Sequence, residues 1–340
     1  MNKGLLQKTV FGILPVMGLM AISLMVMGLT IGPGTRAAMI VDQERAVSIP
    51  PLPEQKPLYY ERSDIPHLVG GHQTILARHE DTLIELAVEH NIGYVELKAA
   101  NPDVDHLLPG EGTPIVIPNR LILPEAPRRG IVINLAELRL YYFPPEGDLV
   151  TLPIGVGRQG LNTPIGRTHI RTKVEGPKWR PTPRMRKEDP DLPELVEAGP
   201  DNPLGSHALY LGWPAYLIHG TQKPSGIGRR VSSGCIRMYP DHIKRLYETI
   251  PVETEVNVID QPIKIAWHEG ELYLEAQPDG DQSDEIEFEG YLKTIHIPEG
   301  VIERIRGLAD DQADRLNWPV IRNTLLERTG MPVMITVPDL

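Results

Sequence analysis

Cysteine is nearly absent: Cys235 is the only one in 340 residues. A disulfide framework is therefore excluded. The chain also has no basic excess. Its formal charge of -11 argues against a nucleic-acid partner. No group of His, Cys and acidic residues has the spacing of a metal site, so neither metal nor cofactor is expected. Charge itself is missing from one long stretch, residues 10–32.

That stretch follows Lys3 and Lys8 and precedes "GTRAAM". A positive head, an apolar run and small residues form an export signal, with 35–37 as a small-x-small cleavage site. The run is also long enough to span a bilayer. Residues 1–40 are read as a signal peptide or membrane anchor, and the remainder is expected to work outside the cytoplasm. Exported chains usually pair their cysteines or lack them, which makes Cys235 conspicuous. It is either a nucleophile or a small buried hydrophobe.

What is abundant is proline, 34 residues or about a tenth of the chain, against a usual ~5 %. This favours strands, turns and linkers over long helices. Hydrophobic content of 41 % suffices for real cores, and the length suggests two or three domains. Residues 41–72 are proline-rich and read as a linker. In 73–119, "QTILA" reads as a strand and Asp81 as the N-cap of "TLIELAVEH". "GYVELKAAN" reads as a second helix and "TPIVIP" as a closing strand. This segment, with its Asp-Thr-Leu, Ala-Asn-Pro and final Ile-Pro, resembles a LysM domain. The resemblance implies a small α+β fold that binds peptidoglycan glycan chains. Glu80 stands where such domains usually carry Gly.

After a second linker, 120–127, the pattern turns to strands. "IVINL" and "LRLYYF" read as a hairpin. "LVTLPIGVG", "GRTHIRT", "HALYLG", "AYLIHG" and "EVNVID" follow as strands. Residues 176–203, with seven prolines, are too long for a simple connection and read as a cap over a site. Asp241 is placed as the cap of a short helix. Residues 261–340 read as an α+β extension: a hairpin about Glu269-Gly270, helices and a last strand "PVMITV". Within it, 277–290 holds six acids and no base, and reads as solvated surface.

A thiol acts as a nucleophile only as thiolate, so it needs a base or a positive field. His219 ends the apolar strand "YLIHGT", sixteen residues before Cys235. The glycine-rich return "TQKPSGIGRRVSSG" can bring the two together. Arg237 offers a positive field or a grip on a carboxylate. Gly234 can turn backbone N–H groups inward to form an oxyanion hole with that of Cys235. Taken singly, His219 could be a satisfied core histidine, Arg237 a surface ion pair, and Ser232 and Ser233 turn formers.

Their order resembles the active site of the L,D-transpeptidases, the YkuD-type domain, over 128–260. Thr163-Pro164-x-Gly166 and "GPDNPLGSHALYL" extend the likeness. The resemblance implies a mainly β fold, a β-sandwich catalytic domain with short helices behind the small α+β module. It implies Cys235 as nucleophile and His219 as base. Gly220, Ser232, Ser233 and Gly234 would shape the site, and Arg237 would position substrate or structure. The implied partner is peptidoglycan, its glycan strands and tetrapeptide stems, in the periplasm. The implied outcome is a 3-3 cross-link or attachment of a lysine-ended outer-membrane lipoprotein. Ser233 departs from the commoner Ser-His-Gly-Cys form. A non-catalytic murein-binding protein, an L,D-carboxypeptidase and a cell-wall cysteine peptidase of another fold are the alternatives.

Overall fold

The computed structural model describes residues 58–60 and 65–338; the charge-free stretch 10–32 and the cleavage site at 35–37 lie outside them. Strand Gln73–Leu76 pairs antiparallel with Pro114–Ile117, and helices Leu83–Glu89 and Tyr94–Ala100 lie between them in sequence. The first helix is capped by Thr82, whose hydroxyl accepts from the Glu85 N–H, not by the expected Asp81. The Asp81 carboxylate instead accepts from the Arg78 N–H at 2.7 Å and Arg78 Nε at 2.9 Å. It closes the turn before the helix, which leaves the extended N-cap position to its neighbour.

The expected linkers differ from their composition-based reading. Leu68–Gly70 pairs antiparallel with Arg120–Ile122. Leu121 and Leu123 pack with Tyr141 and Phe143 of the main sheet, while Ile122 packs with Ala266 of the C-terminal hairpin. A Leu-Ile-Leu run with two apolar neighbours to bury against does not stay in water.

Among the described residues the main sheet has nine strands. In spatial order they are Leu58–Tyr60, Leu149–Pro153, Arg139–Phe143, Gly130–Asn134, Glu255–Ile259, Gly166–Glu175, His207–Leu211, Leu217–His219 and Ile236–Arg237. Gly166–Glu175 is ten residues long and serves two halves of this curled sheet. Its start pairs with Glu255–Ile259, its end with His207–Leu211, and the register shifts between Ile170 and Thr172. Such a shift bends a strand and raises its twist. The mainly β class is thus realised, with short helices packed into its core. Helix Pro240–Thr249 buries Ile243 and Leu246; its N-cap is Tyr239, and Asp241 sits inside the first turn rather than capping it. Pro240 at the first helical position moves the start two residues earlier.

The C-terminal region has its own core, built on hairpin Ile263–His268 with Glu271–Ala276, and on helices Val301–Ala309 and Trp318–Glu327. The last strand is only Val333–Met334. The acidic stretch is not simply solvated. It forms helix Gly280–Glu289, capped by Asp279, with Ile286 buried in the core that also holds Leu97, Ile154 and Ile236.

Two buried ion clusters join these regions. Arg139 Nη2 donates to both Glu96 oxygens at 2.6 Å, linking the helical module to the main sheet. Lys264 of the C-terminal hairpin donates to Glu137 and pairs with Glu275 at 2.7 Å. Both clusters are almost fully buried, where an unpaired charge is not tolerated.

Candidate active site

Strands Leu217–His219 and Ile236–Arg237 run parallel, with Ile218 opposite Ile236 and His219 opposite Arg237. Their apolar residues, Ile218 and Ile236, are wholly buried and fix the pair in the core. This pairing brings together the histidine, the cysteine loop and the arginine, sixteen to eighteen residues apart in sequence.

Strand Arg230–Ser232 pairs parallel with Val156–Gly157 and leads into the cysteine loop. The loop is stitched by Ser232. Its hydroxyl donates to the Cys235 carbonyl at 2.5 Å and accepts from the Gly234 N–H at 3.1 Å. The Gly234 carbonyl accepts from the Thr163 hydroxyl at 2.9 Å, and that hydroxyl accepts from the Gly157 N–H at 3.1 Å. Gly234 has a φ of 107°, and a Cβ there would stand 3.0 Å from the Tyr216 ring. Only glycine fits. The Gly234 N–H itself is engaged by the Ser232 hydroxyl.

Cys235 is a half-buried free thiol whose Sγ–H donates to the Ala215 carbonyl at 3.6 Å. Burial pushes the thiol up from its ordinary range, and the Leu217 N–H and the Arg237 charge pull the other way. His219 is buried, and its Nδ1 lies 2.6 Å from the Gly220 carbonyl. A carbonyl can only accept, so the proton sits on Nδ1 and Nε2 is the unprotonated nitrogen of the neutral ring. Burial, then the Arg237 charge, lowers His219 to about 4, with the Gly220 and Leu204 carbonyls opposing. At neutral pH the pair rests as thiol and imidazole, not as an ion pair. Arg237 is half-buried, and burial lowers it too; its Nε is buried without a hydrogen-bond partner. Ser233 is half-buried on the same loop, and the Gly220 N–H donates to the His207 carbonyl at 3.1 Å.

The expected cap carries helix Pro183–Glu188 and a bridge between Trp179 and Val196. Its base is held by the wholly buried Asn202. The Asn202 amide donates to the Pro177, Val196 and Glu197 carbonyls, and its Oδ1 accepts from the Leu204 N–H at 2.8 Å. Glu188 reaches Arg158 at 3.7 Å, and the Arg158 N–H donates to the Ser232 carbonyl. The cap is thereby tied to the strand that leads to Cys235.

Sequence reasoning missed Ala215, Leu204 and Asn202. Ala215 has a φ of 66° in the Trp213–Tyr216 turn, a position where glycine is usual, so no turn signal marks it. Leu204 acts through its backbone carbonyl and N–H, which any residue carries, and Asn202 through a side-chain amide whose carbonyl partners are gathered only by the fold. Among the described residues, no group of three His, Cys, Asp or Glu side chains is placed to hold a metal ion.

Residues 128–258 match the family model described as the L,D-transpeptidase catalytic domain, YkuD. The chain is 40% identical over 278 residues to the probable L,D-transpeptidase ErfK/SrfK of Escherichia coli K12, covering 79% of this chain and 87% of that protein. It is 40% identical over 283 residues to the probable L,D-transpeptidase YbiS of the same strain, covering 80% and 90%. A third relative, the probable L,D-transpeptidase YcfS, is 37% identical over 284 residues, covering 78% and 84%. Likeness over most of both chains, together with a histidine and a cysteine loop on paired strands, makes this chain a member of the L,D-transpeptidase family.

Proposed function

We propose that the chain transfers acyl groups between peptidoglycan stems through a thioester on Cys235, outside the cytoplasm. The observation that carries this is the pairing of the strand ending in His219 with the strand that follows the Ser232-stitched cysteine loop. The export-type N-terminus supports the location. No ATP is available there, and conserving an existing acyl bond as a thioester removes the need for it.

The donor is a tetrapeptide stem in which a terminal D-residue follows meso-diaminopimelate. Cys235 Sγ attacks the carbonyl at the L-centre of diaminopimelate while its proton passes to His219 Nε2. Because thiol and imidazole rest neutral, attack and proton transfer are coupled, as in general-base catalysis. The Gly220 carbonyl, accepting from Nδ1–H, stabilises the imidazolium as it forms. The Cys235 N–H serves the oxyanion, since the Gly234 N–H is engaged by Ser232. The C–N bond breaks as His219 returns the proton to the departing D-alanine amine, which leaves the thioester. An acceptor amine then attacks, His219 takes its proton, and the thiol is released. A diaminopimelate amine yields a 3-3 cross-link; the terminal lysine of a lipoprotein yields anchorage; water yields hydrolysis. The cap, tied through Glu188 and Arg158, keeps water from the thioester. The strand-helix-helix-strand module at 73–117 supports a glycan-binding role beside the site.

Incubation of the protein with a disaccharide-tetrapeptide tests the reading. D-alanine release with a dimer of 3-3 mass is the expected result. Intact substrate after prolonged incubation contradicts it.

A further inference from the structure

The acidic helix Gly280–Glu289 belongs to the C-terminal region, yet its inner face meets the strand that leads to Cys235. The Glu287 side chain is only 7% exposed, and Arg229 Nη1 donates to it at 3.4 Å. Burial raises the Glu287 carboxyl, with the Arg229 charge and the nearby Arg230 backbone N–H pulling the other way. Asp284 lies 3.7 Å from Arg230 Nε. Arg230 Nη2 donates to Asn162 Oδ1 at 3.2 Å, and the Asn162 carbonyl oxygen would stand 3.7 Å from a Cβ at Gly234.

The helical module holds the other side. The Arg229 guanidinium lies over the Tyr94 ring at 4.1 Å, and the Val95 N–H donates to the Gly228 carbonyl at 3.1 Å. Gly228 has a φ of 71°, and a Cβ there would stand 2.1 Å from Gly93 Cα, so the two backbones meet with no side chain between them. On the third side the Val156 N–H donates to the Arg229 carbonyl, and the Arg158 N–H to that of Ser232. Residues 228–232 are thus fixed by the module, the main sheet and the C-terminal helix. They carry Ser232, whose hydroxyl sets the cysteine loop.

We propose that Arg229 and Arg230 are positioning residues for Cys235, and that Asp284 and Glu287 set the nucleophile loop through them. This makes the C-terminal region a working part of the enzyme rather than an appendage. An exposed ion pair would fix little. Here Glu287 is buried against the Arg229 guanidinium and Asp284 stands beside that of Arg230, so removing both charges frees the strand and not merely a surface charge. The proposal rests on Cys235 being the nucleophile.

The test uses the full chain and the near-isosteric double variant Asp284→Asn/Glu287→Gln, with Glu289→Gln on the exposed side of the same helix as control. Three quantities are read: the rate of Cys235 alkylation by iodoacetamide, kcat and KM for D-alanine release, and Tm. The double variant is expected to lose about tenfold in alkylation rate and in kcat, with KM within about twofold of the parent. The control is expected to match the parent. A double variant that alkylates and turns over like the parent overturns the proposal, whatever its Tm. If it does not fold, Arg230→Gln, which keeps a donor for Asn162 but cannot pair with Asp284, is expected to change both rates in the same direction; parental rates overturn the proposal. Alkylation needs no substrate, so a parent protein that releases no D-alanine contradicts the transpeptidase reading and not the positioning.

Discussion

In the proposed chemistry Ser232 sets the cysteine loop without reacting, while His219 carries the proton. The Ser232 hydroxyl holds both ends of the cysteine loop, at the Gly234 N–H and the Cys235 carbonyl. Ser232→Ala is expected to lower kcat by about tenfold while costing only about 1 kcal/mol of stability. Steady-state kinetics beside thermal melts check this, and a kcat loss matched by unfolding contradicts it. His219 makes a second prediction. Its folded value of about 4 places the acid limb of turnover near pH 4, well below that of an ordinary histidine. The same shift enters stability. The unfolded chain takes the proton first as pH falls from 6.5 towards 4, so stability present above 6.5 is lost across that window. For a fully buried ring the loss is about 3 kcal/mol. A pH series of denaturant melts on the parent and on His219→Gln checks it: the variant is expected to lack this component. Cys235 and His219 are legible in the sequence because their chemistry lies in their residue type and order. Ala215 and Leu204 are not, because they act by backbone groups brought close only by the fold, and neither is Asn202, because the carbonyls its side-chain amide holds are gathered only there.

At the scale of elements, strands were the most legible. Short, nearly continuous apolar runs mark Gly130–Asn134, Arg139–Phe143, His207–Leu211 and Leu217–His219, and a curled mainly β sheet results. Helix starts were less so. Asp81 and Asp241 are each one or more residues from the actual caps, Thr82 and Tyr239, because local turn bonds and Pro240 decide the start. Least legible was the acidic helix. Its charges read as solvated surface, and only its tertiary partners, Arg229 and Arg230, show why two of them face inward. The helix Tyr94–Ala100 carries a further prediction. Glu96 pairs with Arg139 in the interior. Glu96→Ala leaves the guanidinium buried and alone, at an expected cost of about 3–5 kcal/mol. Glu96→Leu/Arg139→Met is expected to recover most of it, and chemical denaturation of both variants checks the pair. Equal losses in the two would contradict a penalty due to the orphaned charge.

For the described molecule as a whole, composition suggested beads on linkers, whereas the core is shared. Leu83 and Leu97 of the module, Ile133 and Ile236 of the main sheet, and Ile286 of the acidic helix lie in one continuous cluster. Segments read as linkers supply the buried strand Arg120–Ile122. The module and the main sheet are therefore expected to unfold in one calorimetric transition, and a separate low-temperature transition of the module contradicts that. A shared core also gives the nucleophile loop rigid support from three sides, which is what a coupled thiol-imidazole attack needs.

The central claim is that Cys235 carries the acyl group with His219 as its base. Intact-mass measurement of the protein during turnover of a disaccharide-tetrapeptide tests it most directly. The expected result is a covalent adduct with the mass of the stem less D-alanine, mapped to Cys235, absent in Cys235→Ala and formed much more slowly in His219→Gln. Turnover by Cys235→Ala, or an adduct mapped to any other residue, would contradict the account.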